Sequence, residues 1–150
     1  MPEVSLLEFA DSMNEIMPVI IKEFARRQPD ELYKGRITLP QLLVLDFLSK
    51  QGDSKMTDIA RFMRVTTAAM TGIVDRLVRD AYAVRVYNPE DRRIIKIKLT
   101  PQGNTLVRKI NQHRRQMVIN IFGKLSEPDR REYLRILIQI KDKLTKESPG

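Results

Sequence analysis

Between Met56 and Leu99 the spacing of apolar residues switches from the period of a helix to the period of a strand. Few folds accommodate that switch in so short a stretch. Thr57 is positioned to cap a short first helix whose Ile59, Ala60 and Phe62 face inward. Met63-Arg64-Val65 makes a turn, and Thr66 or Thr67 caps a second helix reaching to about Asp80. Met70, Ile73, Val74, Leu77 and Ala81 form the buried stripe of that helix; Thr67, Ala68, Thr71, Gly72, Asp75 and Arg79 lie opposite, with Arg76 at the border. Val84, Val86, Ile95, Ile97 and Leu99 then alternate with Arg85, Tyr87, Lys96 and Lys98, the pattern of strands with one covered face. Asn88-Pro89-Glu90-Asp91 supplies turn residues between them. The expected unit is a helix-turn-helix followed by a basic β-hairpin.

The flanks are helical. Ser5-Leu6-Leu7-Glu8 has the form of a capping box, and Leu6, Phe9, Met13, Ile16, Met17, Ile20 and Phe24 follow at helical spacing. Pro18 removes a hydrogen bond inside this run, so a kink near Asn14 or two helical pieces are expected. Residues 28–36, with Pro29 and Gly35, read as a loop. Thr38-Leu39-Pro40-Gln41 opens a helix through Leu42, Leu45, Phe47 and Leu48 that ends near Gly52. Thr100-Pro101 opens another, running to Phe122 before Gly123, and Ser126 caps a last helix carrying Tyr133, Leu134, Leu137, Ile138, Ile140 and Leu144. Lys146 to Gly150 is expected to fray. The fold class is therefore mainly α, in one domain spanning 1–150. A winged helix-turn-helix lobe with a small hairpin wing (37–99) is set between long terminal helices (1–36 and 100–150).

Net charge is +8, unevenly spread: −3 over residues 1–54, +5 over 55–99, +5 over 100–125 and +1 over 126–150. An excess concentrated in the middle of the chain suits a polyanionic partner, or a solvated basic surface. The apolar N-terminal run is broken by Glu3, Glu8, Asp11, Glu15 and Glu23, so it reads as neither signal peptide nor membrane span. With no cysteine, disulfides, thiolate metal sites and thiol redox sensing are excluded, and a cytoplasmic protein is expected. No nucleophile-base-acid set, phosphate loop or metal cluster is present, so no enzyme, cofactor or metal is expected.

A helix-turn-helix sets the N-terminal residues of its second helix nearest the bases of the major groove. Here those are Thr66, Thr67, Ala68, Thr71 and Gly72, with no Arg, Asn or Gln for bidentate base contacts. Modest direct readout follows, with DNA shape, half-site spacing and the hairpin arginines supplying specificity. Glycine at 72 costs about 1 kcal/mol against alanine in a helix interior, which marks either close approach to another backbone or to DNA, or simple tolerance. Arg93 at the hairpin tip suits a narrow minor groove, and Asp91 either steers an arginine or serves the turn. Lys55, Arg61, Arg64, Arg85 and Arg92 are candidates for phosphate contact.

The order of elements, with Val74-Asp75-Arg76-Leu77, Asp91-Arg92-Arg93 and Leu99-Thr100-Pro101-Gln102-Gly103, resembles the MarR family of bacterial transcriptional regulators. The resemblance covers almost the whole chain. It implies a winged-helix homodimer on pseudo-palindromic double-stranded operators, usually a repressor released by a small anionic or phenolic ligand. It also implies that Arg93 reaches the minor groove with Asp91 in support. Ala81 stands where many relatives have glycine, and a left-handed turn is costlier there. The family's cysteine-based peroxide sensing is excluded, and one histidine without cysteine does not suit zinc sensing.

The terminal helices carry more large apolar residues than one winged helix needs, so a symmetry mate is expected to cover them. Met13, Met17 and Met117 either line an adaptable pocket near the hinge between frame and lobe or are plain core. Tyr33 and Arg36 are placed to meet a carboxylate ligand, and His113 reads as a surface or interface residue. Two alternatives stay open: a DNA binder or activator that needs no ligand, and a winged-helix module for protein interaction.

Overall fold

The computed structural model describes residues 3–147, apart from the side chain of Tyr33. Helix α1 (Leu6–Arg26) starts at the expected capping box: Glu8 N–H donates to Ser5 Oγ at 3.2 Å, and Ser5 N–H to Glu8 Oε2 at 2.9 Å. It runs through Pro18 as one helix rather than two pieces, although proline has no N–H to donate to Asn14. The stretch expected as a loop contains a single helical turn, α2 (Asp30–Tyr33), with Pro29 at its N-cap. Thr38 and Gln41 form a second capping box at the start of α3 (Leu39–Gln51).

The central unit follows as β1 (Ser54–Lys55), α4 (Met56–Met63), α5 (Thr67–Arg79), β2 (Ala83–Tyr87) and β3 (Ile95–Leu99). Helices α6 (Pro101–Phe122) and α7 (Glu127–Glu147) complete the chain. The antiparallel sheet has the order β1-β3-β2, with Ser54 opposite Ile97 and Arg85 also opposite Ile97 from the other side.

Several expectations need correction. Strand β1 was not anticipated; it leads straight into α4, so Lys55 rather than Thr57 occupies the N-cap. Phe62 is 53% exposed and packs against Phe47, ring centroids 4.6 Å apart, instead of entering the core. Ile73 is half-buried, and Ala81 lies beyond α5 and is exposed. In β2 the covered face is inverted. Ala83 and Arg85 share a face with Leu99 and Ile97, whereas Val84 and Val86 sit beside Lys98 and Lys96 on the exposed face. Register against β3 decides this, because cross-strand partners point the same way. Helix α7 continues through Lys146 to Glu147 rather than fraying there; residues 148–150 of that expectation lie outside the described residues.

The core gathers Leu42, Val44, Leu45 and Leu48 from α3, Ile59 from α4, Met70, Val74 and Leu77 from α5, and Ile97 from β3. Leu106, Val107 and Ile110 from the first half of α6 join it. Each such side chain contributes roughly 1.5–3 kcal/mol of burial. In contrast, α1 and α7 contain no buried residue, and their apolar side chains face outward. The ring contacts Phe24–Phe122 and Phe122–Tyr133, at 6.1 and 5.3 Å, link α1, α6 and α7.

One junction fastens the hairpin to the frame. The chain leaves α5 through Ala81 at φ +64°, the left-handed conformation, and Tyr82 N–H returns to Leu77 O at 2.9 Å. Thr100 Oγ1 donates to Ala81 O at 2.6 Å and accepts from Gly103 N–H at 3.0 Å, so one hydroxyl caps α6 and holds the turn. A Cβ on Gly103 would lie 2.0 Å from Tyr82 O, so glycine is required there. Gly103→Ala is expected to cost about 1–3 kcal/mol or more through backbone displacement. Ala81→Gly should add about 0.5–1 kcal/mol by relieving the left-handed alanine. Urea unfolding of both variants checks the pair of opposite signs.

Candidate nucleic-acid interface

The first turn of α5 is built by Thr66, whose Oγ1 accepts from Ala69 N–H at 3.1 Å. Thr71 Oγ1 donates to Thr67 O at 2.9 Å, so its proton is committed and the oxygen offers only lone pairs outward. Thr67 keeps its hydroxyl free of protein partners among the described residues. Thr66, Thr67, Ala68 and Gly72 are exposed and Thr71 is half-buried, so all five lie on an accessible side of the helix. A Cβ on Gly72 would meet nothing within 4 Å, which removes close approach within the chain as the reason for glycine. Arg64, in the turn before α5, adopts φ +55° and its carbonyl-side turn closes with Val65 N–H donating to Ala60 O at 3.1 Å. Its side chain is exposed, as is that of Arg76.

The hairpin tip is closed locally. Asn88 Oδ1 accepts from Glu90 N–H at 2.9 Å, and Asn88 N–H donates to Ile94 O at 3.0 Å. Asp91 then grips Arg93 three ways: Oδ1 accepts from the Arg93 backbone N–H at 3.0 Å and from Nε–H at 3.1 Å, and Oδ2 accepts from Nη2 at 3.1 Å. The Arg93 side chain remains 91% exposed, so the clamp aims it without covering it. The side-chain bonds from Arg93, then its backbone N–H, hold the Asp91 carboxyl below its usual pKa. Asp91 is thus both turn residue and support.

Not every basic residue expected at phosphate is available. Arg85 is only 28% exposed and is hydrogen-bonded to Asp75 of α5, so it ties strand β2 to the helix. The alternation of β2 suggested an outward arginine; the inverted face described above turns it inward. Arg61 pairs with Asp58 at 3.4 Å, whereas Arg64, Arg76 and Arg92 carry no carboxylate partner among the described residues.

The residues suggested for a ligand do not gather. An open groove of about 950 Å³ runs between α1 and α6, and Met117 lines it, but Met13, Met17 and Arg36 do not. The side chain of Tyr33 lies outside those described. Val19, Ile20, Phe24, Lys109, His113 and Lys124 line the groove instead. Sequence spacing could not bring these together, because two helices distant in sequence form the walls. Among the described residues, no group of acidic, histidine or cysteine side chains is arranged to hold a metal ion. No helix of the described residues is long and apolar enough to cross a membrane.

Arg85→Ala should destabilise the chain by about 0.5–1 kcal/mol, and a double-mutant cycle with Asp75→Ala should recover most of that as coupling. Additive losses in urea unfolding would show the pair to be inert. The Asp91 clamp carries its own pH signature. A depressed carboxylate pKa means its contribution is complete above the ordinary carboxyl value and lost as pH falls through the depressed one. The Arg93 Nε–H resonance should therefore be unchanged from pH 8 to 6 and collapse to that of a free arginine only below about pH 4.

Comparison with known proteins agrees with this geometry. Residues 37–95, the lobe from the start of α3 through the wing, match the MarR family. The HTH-type transcriptional repressor MdtR of Bacillus subtilis is 31% identical over 120 residues, covering 78% of this chain and 77% of its own length. The crystal structure of RV1404 from Mycobacterium tuberculosis superposes with a TM-score of 0.76 at 25% identity, covering 95% of this chain and 96% of that one. Streptococcus pneumoniae FabT, solved in complex with DNA, shares the fold at a TM-score of 0.77 and 20% identity, over 96% of this chain and 100% of its own. The chain belongs to the MarR family of winged-helix, DNA-binding transcriptional regulators, a family of regulators and not of enzymes.

Proposed function

We propose that this chain acts in the cytoplasm as a homodimeric repressor, binding a pseudo-palindromic operator through two winged lobes and released by a small anionic or phenolic ligand. The observation that carries the reading is the wing tip. Asp91 directs its hydrogen bonds to the almost fully exposed side chain of Arg93 and holds its guanidinium in one orientation. An arginine held so has little conformational freedom to lose on entering a minor groove, where negative potential is greatest. In this reading Thr66, Thr67, Ala68, Thr71 and Gly72 meet the major groove. Arg64, Arg76 and Arg92 meet phosphate, and Asp91 supports the wing. The name of MdtR supports repression, and FabT in complex with DNA supports the mode of binding.

The uncovered apolar faces of α1 and α7 support a second copy. Phe9, Ile16, Ile20, Leu134, Leu137 and Ile140 are all exposed in the single chain. Two chains meeting along residues 1–36 and 100–150 would hold the lobes, residues 37–99, about 34 Å apart, one turn of DNA.

Sedimentation at micromolar concentration should give a dimer, and affinity for duplex DNA should fall with salt at a slope of about −0.9 per phosphate neutralised. Arg93→Ala should weaken the selected duplex by about 1–3 kcal/mol and leave the dimer intact. A monomer, or a salt-independent affinity, overturns the reading.

A further inference from the structure

Helix α5 carries a carboxylate in the middle of the face that the proposed function turns toward DNA. Ala68, Gly72, Asp75 and Arg79 recur at helical spacing along one stripe, and all four are exposed. The stripe lies opposite Met70, Val74 and Leu77, which are sealed in the core. An acid in that place is repelled by phosphate, and two features offset the cost. Arg85 Nη2, reaching over from β2, donates to Asp75 Oδ1, so the carboxylate has a compensating charge and a fixed direction. Toward the start of the same stripe, Ala68 has only a methyl group and Gly72 has no side chain, with nothing within 4 Å of where its Cβ would stand. The helix backbone can therefore approach a base edge closely enough for a side chain as short as aspartate to reach it.

What Asp75 presents is a pure acceptor. Arg85 takes only Oδ1; Oδ2 has no protein partner among the described residues, and the side chain is 57% exposed. Thr71, one turn earlier, is biased the same way, because its proton goes to Thr67 O. In the major groove the donors that answer such groups are the amino groups of cytosine (N4) and adenine (N6). Thymine and guanine place carbonyl oxygens there, which repel a carboxylate. Adenine sets its N7 acceptor beside N6, whereas cytosine offers its amino group with no acceptor of its own. A group that only accepts is therefore matched best by cytosine.

We propose that Asp75 is a specificity-determining residue that reads one cytosine in each half-site by accepting from its N4–H, and that Arg85 is the positioning residue that holds the carboxylate for it. This rests on the DNA-binding function proposed above and adds to it a base that the threonines do not choose.

The test uses the full chain and duplexes that it selects from a random pool. Wild type should prefer cytosine at one position of each half-site, with thymine there weaker by about ten-fold. Asp75→Asn keeps an acceptor for Arg85 and adds an amide N–H, the pair of groups that matches adenine, so the preference at that position alone should move from cytosine to adenine. Asp75→Ala should leave the four bases there nearly equal. Arg85→Gln, with Asp75 still present, should lower the cytosine-over-thymine ratio at that position several-fold and leave the other positions as they were. Each readout is a ratio between two duplexes for one protein, so a partly unfolded variant does not alter it. A selected site without such a cytosine, a preference unchanged in Asp75→Asn, or an equal rise in affinity for every duplex, as an acid facing phosphate would give, overturns the proposal and leaves the function standing. A ratio unchanged in Arg85→Gln overturns the role of Arg85. If wild type selects no duplex at all, the function proposed above fails and this reading fails with it.

Discussion

The hydroxyl of Thr100 is the contact on which the arrangement of the lobe depends. It takes the Gly103 N–H, which starts α6, and gives its proton to Ala81 O, which ends the turn after α5. Thr100 N–H also reaches Tyr82 O at 3.2 Å, and the same carbonyl sits against the Cα of Gly103. The end of the recognition helix, the base of the hairpin and the first turn of the frame helix therefore meet within a few atoms. Above this junction the Asp75–Arg85 pair joins α5 to β2 a second time. Helix α5 and the hairpin are thus joined at two places, at Thr100 and at Arg85.

What could be read from the amino-acid order follows the range of the interactions involved. Ser5 with Glu8, Thr38 with Gln41, Thr66, and Thr100 before Pro101 act within one helical turn, and each marked a helix start correctly. The Asp91–Arg93 clamp spans two residues and was equally legible. The inverted face of β2 was not, because alternation gives a strand two phases and only pairing with β3 selects one. Strand β1 is two residues long and exists through its partner β3, so no local pattern announces it. Phe62 fails for a related reason. Its place on a short amphipathic helix matches the core stripe, yet the ring finds Phe47 on the surface of α3.

The distribution of charge gains meaning once pairing is known. The basic excess of residues 55–99 is not a uniform coat. Arg85 is committed to the fold, and Arg61 and Arg79 have aspartate neighbours within 3.4 and 3.5 Å, worth little at an exposed surface but enough to soften their field. Without a carboxylate partner among the described residues are Lys55, Lys96 and Lys98 of the sheet, together with Arg64 before α5, Arg76 along it and Arg92 beside the clamped Arg93. Of these, Arg64 lies in the turn before α5, a helix start whose dipole favours an anion. The exposed threonines at the start of α5 are too short for bidentate base contacts, so in the function proposed above affinity would come chiefly from phosphate and minor-groove potential.

The frame presents the opposite imbalance. Helices α1 and α7 contain no fully buried residue in the single chain, and among the described residues the ring contacts joining them pass through Phe122. Amphipathic helices gain most of their stability from packing an apolar face, and capping adds only about 0.5–2 kcal/mol at each start. Two helices of 21 residues with their leucines and isoleucines in water are therefore incompletely accounted for by the chain itself. The first half of α6 is different, since Leu106, Val107 and Ile110 are sealed into the lobe. That asymmetry along one helix separates a rigid end, fixed to the DNA-binding unit, from an end whose packing a second copy would complete.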